Sequence, residues 1–469
     1  MRTPSSCLHP SLSGALVLAL LAACDPGQPA DPGGDPPAAD AGDEAADDGD
    51  DTDPTDGAGS SSEPGDPSGS TGDAPADDTA SDETSSGGDE PGDDDASSGA
   101  PASDDGGDDD ALLDLPDPPY DYTIDLPAHY ETPFVQGLDN TPADNQLSDA
   151  GATLGRVLFY DPALSHNETL SCASCHQQAF GFGDPADFSV GFAGELTTRN
   201  SMSLADARWY ASGRFFWDER AATLEEQVLG PIQSEVEMGL TLAELVERVD
   251  ARPYYADLFT AAFGDAAVTS DRIARALAQF VRAMSAHRTR WDVAVAAAGG
   301  NNGPLPGFTA AENLGRQLFF SPRTNCAACH VAGPPPGPGG PPPNLAIFQP
   351  TQPLNNGLDA GPTVDDGVGD VTGDPADAGR FKSPSLRNVA VTGPYMHDGR
   401  FATLEQVIDF YDHGVKAHPN LDPRLRGPGG VPRTMQLTPA EKSALVAFLN
   451  TLTDEALRDD PRFADPFVH

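Results

Sequence analysis

Two copies of a Cys-x-x-Cys-His motif constrain this chain more than any other feature. The first copy, CASCH, occupies residues 172–176, and the second, CAACH, occupies residues 326–330. In such motifs the two thiols form thioethers to a porphyrin, and the adjacent histidine becomes an iron ligand. Zinc and redox sites also use paired cysteines, but two complete copies indicate two covalently attached c-type haems. The predicted attachment residues are Cys172, Cys175, His176, Cys326, Cys329 and His330.

An internal repeat precedes the two motifs. Residues 154–162 read LGRVLFYDP, and residues 314–322 read LGRQLFFSP. Each stretch is typical of an amphipathic helix that ends near a proline and leads into the loop with the haem motif. No stretch alternates apolar and polar residues for long enough to indicate a sheet. The sequence therefore predicts two helical units of the cytochrome c kind in tandem.

The acidic residues are concentrated in one segment. The chain has a formal net charge of -48, and residues 25–110 hold 29 Asp or Glu residues and no Lys or Arg. With few large apolar side chains, this segment cannot bury enough surface to offset the entropy lost on ordering. We therefore expect a disordered tether. The negative charge also argues against nucleic acid as a partner, because phosphate binding requires basic side chains.

The first 24 residues indicate export. Arg2 precedes an apolar run at residues 12–23, which suits the core of a signal peptide and is too short to span a bilayer. Residues 21–24 read LAAC and resemble the lipobox of bacterial lipoproteins, in which the cysteine is lipidated. An ordinary secretory signal is the alternative. On the lipoprotein interpretation, Cys24 attaches a periplasmic or cell-envelope protein to a membrane.

These features divide the chain into four predicted parts. They are a signal peptide at residues 1–24, an acidic tether at 25–112, an N-terminal haem domain at 113–300 and a C-terminal haem domain at 301–469. The predicted fold class is all-α, with two tandem cytochrome-c-like haem domains after a disordered acidic linker.

Six motifs occur in a characteristic order across roughly residues 145–455. They are CASCH at 172–176, FFWDERAATLEEQ at 215–227, GPIQSEVEMG at 230–239, CAACH at 326–330, FKSPSLRN at 381–388 and GPYMHDGRFATLEQV at 393–407. This combination resembles the bacterial di-haem cytochrome c peroxidase family, which includes the di-haem enzyme of methylamine utilisation. The resemblance implies an exported oxidoreductase, and members of the family are often homodimers.

The resemblance also implies a catalytic site at the N-terminal haem, on His176. Glu237 matches the distal acid of the family, and Gln227 and Pro231 match the other distal-pocket residues. Trp217 matches the tryptophan between the haems that is thought to pass electrons. A carboxylate near an open haem can move a proton between the two oxygens of peroxide and so assist their separation. Without the resemblance, Glu237 would be interpreted as a surface acid in preference to a catalytic one.

A calcium site is a further implication of the resemblance, because the family holds this ion between its domains. The matching positions are the Asn200 side chain and the backbone carbonyls of Thr392 and Pro394. Oxygen ligands of this kind suit calcium, and water would have to complete so small a set. A plain loop asparagine is the alternative for Asn200.

One departure from the family concerns the N-terminal haem. Many family peroxidases place a histidine sixteen residues after the proximal one, where it blocks this haem until the other haem is reduced. Phe192 stands at that position, and no histidine occurs between His176 and His287. Because phenylalanine cannot bind iron, we predict that this haem is five-coordinate without reductive activation.

The second departure concerns the C-terminal haem. The peroxidases usually carry a methionine fourteen residues after the histidine that corresponds to His397, and Tyr411 stands there in this chain. The methylamine-utilisation enzyme uses a tyrosine at the matching place, and such a ligand favours ferric iron. We predict Tyr411 as the axial ligand, with His413 or a core tyrosine as alternatives. Met238 and Met396 are interpreted as packing residues.

Three functions remain open on this basis. The first is reduction of hydrogen peroxide with electrons from a small cytochrome c or cupredoxin. The second is an enzyme that uses the oxidised di-haem state to withdraw electrons from a partner protein or organic substrate, which Tyr411 and Phe192 favour. The third is a tethered electron carrier without catalysis.

Overall fold

The computed structural model describes residues 112–331, 333 and 343–469. The predicted signal peptide with Cys24, and the predicted tether up to residue 111, lie outside this part of the chain. No helix within the described ranges is long and apolar enough to cross a membrane.

Helices form the regular structure, and the described residues contain isolated β-bridges but no strands. The predicted all-α fold is therefore confirmed for this part of the chain. The first half contains α1 (Pro133–Gln136), α2 (Asp149–Tyr160), α3 (Cys172–Cys175), α4 (Leu224–Gln227), α5 (Gly230–Gln233), α6 (Leu242–Asp250), α7 (Tyr254–Phe263), α8 (Ser270–Ala283) and α9 (Arg290–Ala298). The second half contains α10 (Ala310–Phe319), α11 (Ala327–His330), α12 (Val368–Thr372), α13 (Leu404–Asp409), a π-helical turn (Phe410–Gly414), α14 (Pro439–Asn450) and α15 (Glu455–Arg458).

The repeat in the sequence becomes a repeated pair of packed helices. Helix α2 packs on α8, and α10 packs on α14. Gly155 and Gly315 hold the same place in the repeat, at the two helix contacts. A Cβ atom at Gly155 would lie 2.1 Å from the Ala276 carbonyl oxygen, and one at Gly315 would lie 1.8 Å from that of Ala444. Glycine at this position therefore lets each pair of helices approach closely.

The arginine that follows each of these glycines ties the helix to a distant segment. Arg156 and Arg316 are both buried. Arg156 Nε donates to the carbonyl oxygen of Ala464 at 2.6 Å, and Arg316 Nη2 donates to that of Gly303 at 2.6 Å. The equivalent arginines of the two repeats thus have the same role, because each fixes a distant segment of the chain to its helix.

Two large apolar cores surround the two helix pairs. The first includes Leu158 and Phe280, and the second includes Trp291 and Phe448. Phe463, near the C-terminus, packs into the first core, so the chain returns to its N-terminal half after α14. The domain boundary between residues 300 and 301 stays a prediction.

A buried ion pair joins segments that are far apart in the sequence. Both terminal nitrogens of Arg387 donate to the Asp292 carboxylate at 2.8 Å. Arg387 also donates to the carbonyl oxygens of Ala286 and Ala346, at 2.8 and 2.7 Å. His129 lies 2.8 Å from the same carboxylate. Because its charge is paired and its donors are used, this arginine is tolerated in the interior.

The close helix contact at Gly315 yields a stability prediction. Gly315→Ala should lower the free energy of unfolding by about 1–3 kcal/mol, because the added methyl group overlaps the Ala444 carbonyl. In an open helix the same change would stabilise by about 1 kcal/mol. Urea unfolding of the haem-loaded protein measures the effect. Gln317→Ala, at an exposed position of the same helix, is the control, and an equally stable or more stable Gly315→Ala variant would contradict the packing argument.

Candidate haem sites

The first CxxCH motif presents its histidine to a cavity. Cys172 begins α3, and His176 follows its last residue. His176 Nδ1 lies 2.9 Å from the Phe182 carbonyl oxygen. With its proton on Nδ1 donated to that oxygen, His176 keeps Nε2 for a metal. Burial lowers the pKa of this imidazole, which favours the neutral, metal-binding form.

The thiols of both motifs are free and close to the cavities. Cys172 and Cys175 line the cavity of His176, and Cys326 lines that of His330. No disulfide joins any of the four motif cysteines, and burial raises the pKa of Cys172 to about 12. Paired cysteines that line a cavity beside a buried, neutral imidazole suit thioether attachment of a haem.

The predicted distal residues converge on the first cavity. Glu237, Gln227 and Pro231 line it together with His176. Gln227 is the last residue of α4, whose first turn is capped by the Thr223 side chain. Pro231 lies in the first turn of α5, where a proline is favourable. Residues that are far apart in the sequence thus line one cavity together with the motif histidine.

Phe192 is fixed beside the distal residues. Its backbone N–H donates to the Glu237 carbonyl oxygen at 3.0 Å, and its own carbonyl accepts from Asn167 Nδ2 at 2.8 Å. Its ring packs on Gly239, where a Cβ atom would lie 2.5 Å from the ring. Among the described residues that line the first cavity, His176 is the sole histidine.

The second CxxCH motif differs from the first in how its histidine is held. His330 is the last residue of α11, and burial lowers its pKa to about 4. Within the described part of the chain, its Nδ1 is buried and has no hydrogen-bond partner. The second cavity is strongly apolar, and the residues that form its apolar wall include Phe319, Leu354, Leu386, Val389, Leu404, Ile408, Leu445 and Leu449.

Tyr411 lies in the second cavity, on the π-helical turn that follows α13. Such turns are frequent at functional sites. Burial raises the pKa of Tyr411 to about 12, so the phenol is neutral until a metal displaces its proton. The alternative ligand, His413, is 65% exposed and does not line this cavity.

Two neighbours of Tyr411 were not anticipated from the sequence. Asn356 Nδ2 lies 3.5 Å from the Tyr411 hydroxyl and 3.5 Å from the Met396 sulfur. Met396, interpreted from the sequence as a packing residue, therefore brings its thioether into the cavity with Tyr411. The sequence signal was its place beside His397 in the GPYMHDGR motif.

Trp217 lies in the wall that the two cavities share. Its Nε1–H donates to the Asn200 carbonyl oxygen at 2.8 Å, and its own carbonyl accepts from the Lys382 N–H at 2.8 Å. The Asn200 N–H donates to the His397 carbonyl oxygen at 2.8 Å. These bonds fix the indole between segments that come from both halves of the chain.

The predicted calcium ligands lie along one cavity. Asn200, Thr392 and Pro394 all line the second cavity. Asn200 Nδ2 donates to the Ala186 carbonyl oxygen at 2.9 Å, which fixes the orientation of the amide. No group of three His, Cys, Asp or Glu side chains in the described ranges could hold a metal ion. A calcium site here would therefore consist of amide and carbonyl oxygens.

Comparison with known proteins identifies the family. The profile of the family described as "Di-haem cytochrome c peroxidase" matches residues 149–299. The methylamine utilization protein MauG of Paracoccus denitrificans is 34% identical over 69% of this chain and 93% of its own length. The cytochrome c551 peroxidase of Nitrosomonas europaea is 33% identical over 68% of this chain and 83% of its own length.

A solved structure extends the similarity to the fold. The crystal structure of a MauG-like protein associated with microbial copper homeostasis is 36% identical, with a TM-score of 0.59. The match covers 73% of this chain and 99% of that protein. The two CxxCH motifs agree with the two c-type haems that this family binds. The chain belongs to the di-haem cytochrome c peroxidase family.

Proposed function

We propose that this protein reduces hydrogen peroxide to water with two electrons from a small periplasmic cytochrome c or cupredoxin. The observation that carries the proposal is the convergence of Glu237, Gln227 and Pro231 on the cavity of His176. A haem bound there supplies an iron centre that binds peroxide and delivers electrons to it. An electron carrier without catalysis would not need a carboxylate and an amide on this face.

Glu237 acts as the acid–base group. It would take a proton from one oxygen of the peroxide and return it to the other, which would then leave as water. Gln227 offers both an amide donor and an acceptor to the peroxide, while Pro231 has no N–H and forms an apolar wall. Because these side chains are half-buried, bulk water competes less for their hydrogen bonds with peroxide.

His330 would hold the C-terminal haem, which would supply electrons, and Trp217 in the wall between the two cavities would lie on their path. The hydrogen bonds of this tryptophan to Asn200 and Lys382 support the assignment, because they hold one indole in the wall between the cavities. Calcium, bound by the Asn200 side chain and by the carbonyls of Thr392 and Pro394, would stiffen the same wall. Water completes its ligand shell.

The finer cellular assignments also belong to this proposal. The protein is an exported lipoprotein whose lipid is carried by Cys24, and the acidic segment is a spacer between the membrane and the haem domains. Cys24 and most of that segment lie outside the described residues, so the support is the sequence pattern alone. Assembly into a homodimer is proposed because members of the family are often homodimers.

A second function is favoured by Tyr411. A tyrosine in the cavity of His330, beside Asn356, supports a C-terminal haem that stays oxidised more readily than a methionine-ligated one. Such a protein would withdraw electrons from a partner protein or organic substrate after reaction with peroxide. Relatives named for methylamine utilisation add weight to this alternative.

Replacement of Glu237 tests the primary function. In the haem-loaded protein supplied with a pre-reduced small cytochrome, Glu237→Gln should slow peroxide-dependent donor oxidation by about 10²–10⁴-fold, because the proton carrier is lost. Glu235→Gln, two residues away and exposed, is the matched control and should retain activity. Equal activity of wild type and Glu237→Gln would remove Glu237 from the mechanism. Slow donor oxidation by wild type, with a long-lived spectral change after peroxide, would favour the second function.

Replacement of Tyr411 tests the axial ligand. Tyr411→Phe should abolish the low-spin signal of the C-terminal haem, because the phenyl ring has no oxygen to bind iron. Electron paramagnetic resonance of the oxidised protein measures this signal. Tyr395→Phe is the control, since Tyr395 lines the same cavity and its hydroxyl donates to the Val389 carbonyl oxygen at 2.8 Å. An unchanged spectrum in Tyr411→Phe would exclude Tyr411 as a ligand.

The fixed position of Phe192 predicts the spin state of the other haem. In the oxidised wild-type protein, the N-terminal haem should give a high-spin, five-coordinate resonance Raman signature without prior reduction. The C-terminal haem of the same sample is the internal reference for a six-coordinate signal. A six-coordinate, low-spin signal assigned to the haem on His176 would show that another ligand closes this site.

A further inference from the structure

Lys382 places a positive charge in the wall that both haem cavities share. Its side chain is 5% exposed. Its Nζ lies 3.4 Å from the Met202 sulfur and 4.8 Å from the centroid of the Tyr210 ring. A thioether and an aromatic face interact favourably with an ammonium group, but neither carries a negative charge.

The other lysines of the described ranges are paired with carboxylates. Lys416 Nζ lies 4.0 Å from Asp359, and Lys442 Nζ lies 2.7 Å from Asp409 and from Asp412. No described residue forms an ion pair with Lys382, which is the most buried of the three.

Glu219 is the acidic group that acts on Lys382 from a distance. Its carboxylate accepts a hydrogen bond from the Tyr210 hydroxyl at 2.5 Å, and it does not reach the ammonium. Burial lowers the pKa of Lys382 to about 8, and the charge of Glu219 opposes that change. The described part of the protein thus gives the Lys382 ammonium no direct counter-charge.

An isolated ammonium in the interior is strongly unfavourable unless a carboxylate pairs with it. A c-type haem is attached through its former vinyl groups and keeps both propionate carboxylates. Two haems thus bring four carboxylates to the cavities that Lys382 lines. We propose that the Lys382 ammonium forms an ion pair with a haem propionate and raises the reduction potential of that haem.

The direction of this effect follows from charge. Reduction adds one negative charge to the iron centre, and a nearby ammonium stabilises the reduced form more than the oxidised form. The backbone N–H of Lys382 donates to the Trp217 carbonyl oxygen at 2.8 Å, so the main chain of Lys382 is fixed to the residue in the shared wall, and its ammonium is held by Met202 and Tyr210. Lys382 is in this sense a positioning and potential-setting residue, and its role does not depend on which substrate the enzyme oxidises.

Spectroelectrochemical titration of the haem-loaded protein tests the proposal. Lys382→Met should make the reduction of one haem less favourable by at least about tenfold in its equilibrium constant. For a one-electron couple, this change lowers the midpoint potential by about 59 mV. The haem whose potential shifts identifies which propionate is bound. Lys382→Arg should keep the potential near that of wild type, because the positive charge remains. Lys416→Met, at an exposed lysine of the same half, should leave both potentials unchanged.

Two results would overturn the proposal. One is unchanged potentials in a Lys382→Met protein whose pyridine haemochrome shows both haems. The other is an equal shift in Lys382→Met and Lys382→Arg, which would mean that shape and not charge is responsible. If neither variant binds both haems, a crystal structure of the haem-loaded wild type decides. An Nζ atom within 4 Å of a propionate oxygen supports the ion pair, and an Nζ atom near only Met202 and Tyr210 excludes it.

Discussion

Covalent attachment of a haem to each CxxCH motif would place a large, flat group inside a small helical unit, and the surrounding cavities have the apolar walls that such a group requires. Each unit surrounds its cavity with apolar side chains and offers a neutral histidine from the motif. The hydrogen bond from His176 to the Phe182 carbonyl fixes one imidazole, whereas His330 has no such partner among the described residues. The two cavities thus contain the same CxxCH motif but differ in the groups that surround its histidine.

Each of the two repeated helix pairs contributes side chains to the wall of its own cavity. Gly155 and Gly315 allow the close helix contacts, and the neighbouring arginines hold the segments that cross them. Between the units, Trp217 forms hydrogen bonds with residues from both halves of the chain. The buried ion pair of Arg387 and Asp292 also joins segments from both halves. Rigid placement of this kind suits electron transfer, because neither haem has to move for electrons to pass.

Sequence reasoning could locate the haem attachment residues because five consecutive positions encode them. Glu237 and Tyr411 were predicted from the family resemblance, and each lines the cavity of a motif histidine. It could not foresee that Asn356 and Met396 would lie beside Tyr411, because these contacts depend on how separate loops meet. The isolation of Lys382 was hidden for the same reason, as a lysine in a motif does not reveal whether a carboxylate will be near it.

The close helix contacts also could not be predicted from the sequence. A glycine within a helical pattern is usually a weak point, and only the packed structure shows that Gly155 and Gly315 face backbone carbonyls. The central claim concerns the first cavity, where no histidine other than His176 lies among the described lining residues. Stopped-flow mixing of the fully oxidised, haem-loaded protein with hydrogen peroxide tests it most directly. We expect a rapid spectral reaction without any added reductant, and a reaction that begins only after one haem has been reduced would show that the N-terminal site is closed in the oxidised protein.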